Sequence, residues 1–416
     1  MKSLWKQKSY DLDNGLHVEA IFLKDRHTWS AYVAAPIGSL FSRYSIDQKP
    51  TPGGIAHFLE HRLFDTPKGD AFQLFSSLGC DANAFTTYEY TTYYFETATH
   101  FLEGIKILLN MTNEITFKEE AVEKEKPIIV EELYMTLDKP AQRLLHGLLE
   151  NLVSTSYLKE EIVGDKEDIV STTLEDLKRV FYTCYNPKQL TLFLFGDMDE
   201  SFIEEIGRIP LHQHEEKHEI TSKMKEEPEE IVSSFHITKM DVPLPYIAMG
   251  AKRLHLQKKL GIDNETYEAL QDIVSNLLFS DGSRFIQEIH DEGLMDTNVS
   301  GAFLSSDGID ILYVVTSTSK RDAFMKKVDY FFHHLREYID DKSLKRAVRF
   351  CLGNALIALD DFSTFTYLYV SRYMRHISMS RMIEMYEKIT MDLINQFIDL
   401  WKDAPYTTYI LSKDGK

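Results

Sequence analysis

Residues 57 to 61 read His-Phe-Leu-Glu-His. Side chains four apart on a helix lie one above the other on the same face, so His57 and His61 would present two imidazoles to a single point. Glu60 borders that point without having to be a ligand. Two neutral nitrogen donors and a carboxylate base are what metal-assisted hydrolysis of a peptide bond requires. The order inverts His-Glu-x-x-His, and the inverted form is itself a zinc-site pattern. With 15 histidines in 416 residues, a buried helix with two ordinary hydrogen-bonded histidines is the competing reading. The flanks predict a helix either way. Thr51-Pro52 offers an N-cap followed by proline at the first helical position, and Gly53-Gly54 permits a close backbone approach.

A third ligand has to come from elsewhere. The segment from Phe117 to Met135 is charged and helical in pattern, and most of its glutamates read as solvated, Glu120 pairing with Lys124 at i,i+4. Phase separates two of them. Val122 and Ile129 mark an inward stripe, Glu125 falls between them, and Glu132 lies one heptad after Glu125. A carboxylate on a buried face is costly unless a cation or donor meets it. Glu125, 64 residues after His61, is therefore expected as the third ligand, with Glu132 as an outer partner. Pro127 is expected to kink the helix just past Glu125.

His-x-x-Glu-His followed by Val-Glu-x-Glu-x-x-x-Ile resembles the pitrilysin-type zinc peptidases, or inverzincins. The likeness is greatest to the short subgroup that includes mitochondrial processing peptidase and bacterial peptidases maturing small ribosomal peptides. The resemblance implies one Zn2+ per chain on His57, His61 and Glu125, with Glu60 activating water. Ala82-Asn-Ala-Phe-Thr-Thr87 resembles the family's exposed edge strand, which implies that Asn83, Ala84 and Phe85 bind a peptide substrate added as a further strand. Periodicity alone reads an ordinary strand there, continuing from Tyr88 to Phe95. The family also places an arginine and a tyrosine, seven residues apart, opposite the zinc to polarise the scissile carbonyl. Aligned through Gly293-Leu294, those places fall on or near His290 and Asp296, neither of which can do that work. The resemblance thus implies a hetero-oligomer with a homologous subunit lacking zinc, and a non-catalytic scaffold or a peptide- or metal-binding subunit as the alternative.

Internal duplication is the expected organisation: a zinc-binding catalytic domain over 1–215 and a related domain without metal over 216–416. Asn14-Gly15 signals a hairpin. Strands are predicted at 29–36, around 84–97, at 190–196, 245–250, 310–316 and 406–411. Helices are predicted near 100–112, 117–137 and onward to about 182, then near 265–279, 284–291, 321–339 and 342–358. The absence of regular βαβ alternation gives an α+β class, each domain a mixed or antiparallel sheet covered by helices on one face. By resemblance, two such domains form half of a clamshell. The polar stretch 207–228 reads as a solvated linker, its His212, His214 and His218 lacking any fixed geometry for metal.

Composition excludes several classes. A net charge of −19 argues against nucleic acid, because a phosphate backbone would be repelled. It suits a chamber that draws in cationic peptides, but solubility by itself accounts for an acidic surface. Cys80, Cys184 and Cys351 are odd in number and widely separated, as expected of reduced packing residues in the cytoplasm. The first ten residues lack a secretory core, and no apolar run reaches the roughly 20 residues of a membrane span.

Overall fold

The computed structural model describes residues 5–214, 218–223 and 225–415. Met1–Leu4, on which part of the targeting argument rests, and the domain boundary expected at 215/216 lie outside the described residues. Contacts divide the chain into two units. The first comprises Met1–Tyr134, Glu160–Met224 and Thr366–Arg375, and the second Met135–Lys159, Lys225–Phe365 and His376–Lys416. A single cut in the linker does not describe this division, because two short segments group with the opposite half.

The first unit is built on a six-stranded sheet, in spatial order Lys6–Asp11, His17–Phe22, Thr191–Gly196, Trp29–Ala35, Thr91–Thr97, Asp81–Thr86. All neighbours run antiparallel except His17–Phe22 and Thr191–Gly196. The Asn14-Gly15 turn closes the first hairpin, and the Asn14 amide donates to the carbonyls of Ile206 and Ile209. The strand expected to run on past Thr87 breaks into a hairpin instead. Thr87 forms that turn with its own hydroxyl, which donates to the Tyr90 carbonyl and accepts from the Glu89 and Tyr90 amides.

Alternation sorts the sheet's side chains. Tyr93 and Phe95 face the helices of the first half, where Phe95 meets Phe75 and Phe101 and the Tyr93 hydroxyl bonds that of Tyr185 at 3.0 Å. Tyr32, Phe193 and Phe195 face the other way, onto Thr366, Tyr369 and Tyr373 of the late segment. Glu19, buried on this second face, accepts from Ser9 and Tyr373.

The second unit carries a five-stranded sheet ordered Phe235–Lys239, Tyr406–Ser412, Tyr246–Leu254, Ile309–Ser317, Ser300–Ser306. Its first two strands are parallel and the rest antiparallel. Remove the outermost strand of the first sheet and the two orders coincide, down to the single parallel pair. The duplication expected from sequence is therefore visible in topology. Helix Pro140–Leu152 packs across this sheet. Gly147 makes the approach possible, since a Cβ there would stand 2.0 Å from the Tyr409 ring. A buried ion pair fixes the chain beyond that helix. Lys252 is wholly buried and donates to Glu227 at 2.8 Å, and Glu227 also accepts the backbone amides of Ser154, Thr155 and Ser156.

Other expectations need adjustment. Helix 321–339 is Arg321–His333 followed by a 3-10 turn, Leu335–Tyr338. Ser300–Ser306 and the helices Phe362–Met374, Met379–Tyr386 and Met391–Leu400 were not anticipated. The linker is not simply solvated. Ile220–Ser222 pairs with Tyr44–Ile46, Asn113 and His212 exchange hydrogen bonds, and His218 bonds Asp47. Among the described residues, no helix is long and apolar enough to cross a membrane.

Candidate metal centre

The motif helix runs from Ile55 to Arg62. Its cap differs from the expectation: Gly54 takes that place with φ of 72°, while Thr51 and Pro52 precede the helix. Only glycine suits Gly54, because a Cβ would come within 2.0 Å of the Val163 carbonyl oxygen. The Gly53 amide donates to Asp168 at 2.7 Å, so the Gly-Gly pair seats the helix against the 163–168 segment.

His57 and Phe58 are buried and His61 is half-buried, the two imidazole centroids lying 4.6 Å apart. The glutamate helix spans Glu119–Leu137 and runs through Pro127, whose missing N–H cannot satisfy the Glu123 carbonyl. Val122, Glu125, Ile129 and Leu133 form its buried stripe, as periodicity predicts.

The two glutamates stand in places opposite to those expected. Glu132 faces both imidazoles, with Oε1 3.6 Å from His57 Nε2 and Oε2 3.3 Å from His61 Nε2. One donor atom from each of His57, His61 and Glu132 lies within 4.8 Å of the others. Ligands 2.0–2.1 Å from a tetrahedral zinc are about 3.3 Å apart, so small side-chain rotations would bring this set onto one ion. Among the described residues this is the one cluster with that geometry.

Glu125 is engaged elsewhere. Its Oε1 lies 2.9 Å from His61 Nδ1 and its Oε2 accepts from Arg62. Both oxygens are thus on the far side of the His61 ring from Glu132. Phase alone does not separate the two carboxylates: both lie on one stripe, and only the crossing of the two helices decides which meets Nε2.

Electrostatics match this layout. Burial disfavours a charged His61 ring, yet hydrogen bonds to Glu125 and Glu132 outweigh it and raise the pKa to about 9. His57 and then His61 hold the Glu132 carboxyl well below the usual carboxylate range. Glu125 is also lowered, first by His61, against the cost of burial and with help from Arg62.

Glu60 sits at the same centre, and its Oε2 accepts a 2.6 Å hydrogen bond from Thr86 Oγ1. Thr86 ends the strand Asp81–Thr86, which is one edge of the first sheet and unpaired on its outer side among the described residues. The Thr87 amide bonds the Tyr90 carbonyl, so Phe85 and Asn83, two and four residues back, also bond inward. Ala82 and Ala84 are left presenting their main-chain groups outward. Of the three residues expected to hold substrate, only Ala84 offers its backbone to the edge, and its amide donates to Asn83 Oδ1 at 2.8 Å. The Phe85 ring packs against Tyr90, Tyr94 and Tyr367. Sequence reasoning missed Thr86 and Arg62. Thr86 lies one residue past the trio singled out, and Arg62 reads only as one of the residues that continue the motif helix's pattern.

In the second unit His290 is exposed beside Asp291, and the Asp296 carboxylate accepts from the Ser319 amide and hydroxyl at 2.6 and 2.8 Å.

The profile described as Insulinase (Peptidase family M16) matches residues 42–166, and the one described as Peptidase M16 inactive domain matches 171–350. The chain belongs to peptidase family M16. The uncharacterized zinc protease YmfH of Bacillus subtilis is 27% identical over 396 residues, covering 93% of this chain and 92% of that one. A putative M16-like peptidase from Alicyclobacillus acidocaldarius has the same fold, with a TM-score of 0.90, 24% identity and 99% of both chains covered. The periplasmic protease PqqL of Escherichia coli matches at a TM-score of 0.70 and 17% identity over 98% of this chain but 48% of its own. That chain therefore has about twice the length of this fold.

Proposed function

We propose that this M16 chain is the metal-bearing subunit of a zinc endopeptidase acting on short, extended peptides. One observation carries the reading: donor atoms of His57, His61 and Glu132 converge within 4.8 Å of one another beside Glu60 and an edge strand. Glu132 is the third ligand in this reading, and Glu125 holds the far nitrogen of His61. A zinc ion at this point would acidify a water molecule and polarise a peptide carbonyl.

The chain's own residues supply the rest. Thr86 fixes one oxygen of Glu60, whose carboxylate takes the proton of the attacking water and delivers it to the leaving amine. A substrate strand pairs with the outward groups of Ala82 and Ala84, displacing the Asn83 side chain from the Ala84 amide. His290 and Asp296 offer no arginine or tyrosine, so a second subunit of the same fold supplies the carbonyl clamp. The double length of PqqL supports a pair of such halves. Leader segments of small ribosomal peptides are the substrate class the resemblance suggests, and three buried, unpaired cysteines suit a cytoplasmic setting.

Zinc affinity, measured by competition with a chromophoric chelator, tests the ligand set. Glu125→Gln should weaken binding by the 10–100-fold typical of an outer partner. Glu132→Gln should weaken it further and His57→Ala should abolish it. Glu125→Gln costing more than Glu132→Gln would return Glu125 to the metal.

A further inference from the structure

Arg62 directly follows the second histidine of the motif, on the inward side of its helix. Its side chain is only 11% exposed, and a buried guanidinium is tolerated only with acceptors in place. Two carboxylates meet it, Glu125 through one terminal nitrogen and Asp65 through the other. The Phe117 ring lies 5.7 Å from its central carbon. Asp65 is itself anchored, because its carbonyl accepts from Thr116 Oγ1 at 2.8 Å. Arg62 is thus held in one orientation by the chain leading into the glutamate helix.

The consequence lies at Glu125. A carboxylate with one partner turns freely about its last torsion, which is broad and nearly two-fold. Here the two oxygens are divided: Oε2 belongs to Arg62, and Oε1 faces His61 Nδ1 at 2.9 Å. A histidine presents its Nε2 lone pair to a metal when its Nδ1 carries the proton, and a fixed acceptor at Nδ1 selects that tautomer. His57 shows the contrast: its Nδ1 is buried without a hydrogen-bond partner among the described residues. Orientation of the donor pair therefore depends on the His61 side of the site.

We propose that Arg62 is a positioning residue of the metal centre, fixing Glu125 so that His61 keeps its proton on Nδ1 and turns Nε2 to the metal. This rests on the zinc reading above. Arg62 acts only through Glu125, and its planar fork is needed to hold Glu125 and Asp65 together, a geometry a lysine cannot reproduce.

The test is zinc affinity of the full-length chain by chelator competition at fixed pH, with metal-free thermal melting followed in parallel. Variants are His57→Ala, Arg62→Met, Arg62→Lys, Glu125→Gln and the double variant Arg62→Met/Glu125→Gln. Arg62→Met is expected to weaken zinc about tenfold or more, with Arg62→Lys between it and wild type. In the Glu125→Gln background Arg62→Met should cost nothing further, a non-additivity that a purely structural arginine would not produce. Imidazole 15N spectra of the zinc-loaded proteins should show His61 uniformly Nδ1-protonated in wild type and less ordered in Arg62→Met. If Arg62→Met does not fold, Arg62→Lys carries the comparison. Wild-type affinity in these Arg62 variants, with binding lost in His57→Ala, overturns the proposal and leaves the zinc reading standing. So do independent, multiplying losses from Arg62 and Glu125. A wild-type chain that holds no zinc overturns both.

Discussion

Acid should release the clasp that ties the end of helix Pro140–Leu152 to the second sheet. Glu227 is 8% exposed at its side chain, pairs with the wholly buried Lys252 and accepts three backbone amides. Burial opposes its ionisation, yet Lys252 and those amides win and lower its pKa to about 2, from 4.5. A tenfold change in a proton-dissociation constant is worth about 1.4 kcal/mol, so ionised Glu227 contributes on the order of 3 kcal/mol. The folded-state pKa lies below the unfolded one. That stability is therefore fully present above about pH 4.5 and is lost as the pH falls toward about 2. Glu227→Gln should remove it at neutral pH and also strand Lys252 as an unpaired buried charge, a change worth about 3–5 kcal/mol. Denaturant unfolding of both proteins between pH 7 and about pH 2.5 checks this. The gap between them should be widest at neutral pH and narrow steadily below about pH 4.5. A gap independent of pH would refute the reasoning and mean that Glu227 acts by packing alone.

Three further outcomes are expected. Gly54→Ala places a Cβ against the Val163 carbonyl at a positive φ, so equilibrium unfolding should show a loss of more than about 2 kcal/mol. In peptide substrates, proline placed where the main chain must bond Ala84 should block cleavage, and stably folded proteins should be spared, as mass spectrometry of digests would show. The isolated chain should turn over peptides at least about 100-fold more slowly than its assembly with a partner carrying the arginine and tyrosine, because each lost carbonyl donor costs about 10²–10³ in rate.

Much of the architecture was legible because local signals were strong and mutually consistent. Asn14-Gly15 closes a hairpin, Arg284–Asp291 is helical, though as a separate helix capped by Ser283 rather than the continuation its pattern suggests, and His57, Glu60 and His61 share one face. The failures have physical causes. Periodicity put Glu125 and Glu132 on one stripe but carries no information about the angle at which two helices cross, and that angle decides which carboxylate meets Nε2. Ser300–Ser306 is an edge strand in which small residues flank Phe303-Leu304, with little β-propensity to announce it. Thr366–Arg375 groups with the first unit although it is remote in sequence, and no local pattern encodes such a long-range pairing. Polar composition suggested solvent for 207–228, whereas backbone pairing of Ile220–Ser222 and the exchange between Asn113 and His212 tie it down.

The account stands most directly on Glu60. Turnover of an unstructured peptide by the zinc-loaded chain, assembled with its partner, should be compared for wild type and Glu60→Gln at equal zinc content. Loss of the base should lower kcat by about 10²–10⁴ while zinc stays bound. Unchanged turnover in Glu60→Gln, with the metal retained, would contradict the assignment of Glu60 as the proton acceptor and with it the proposed mechanism.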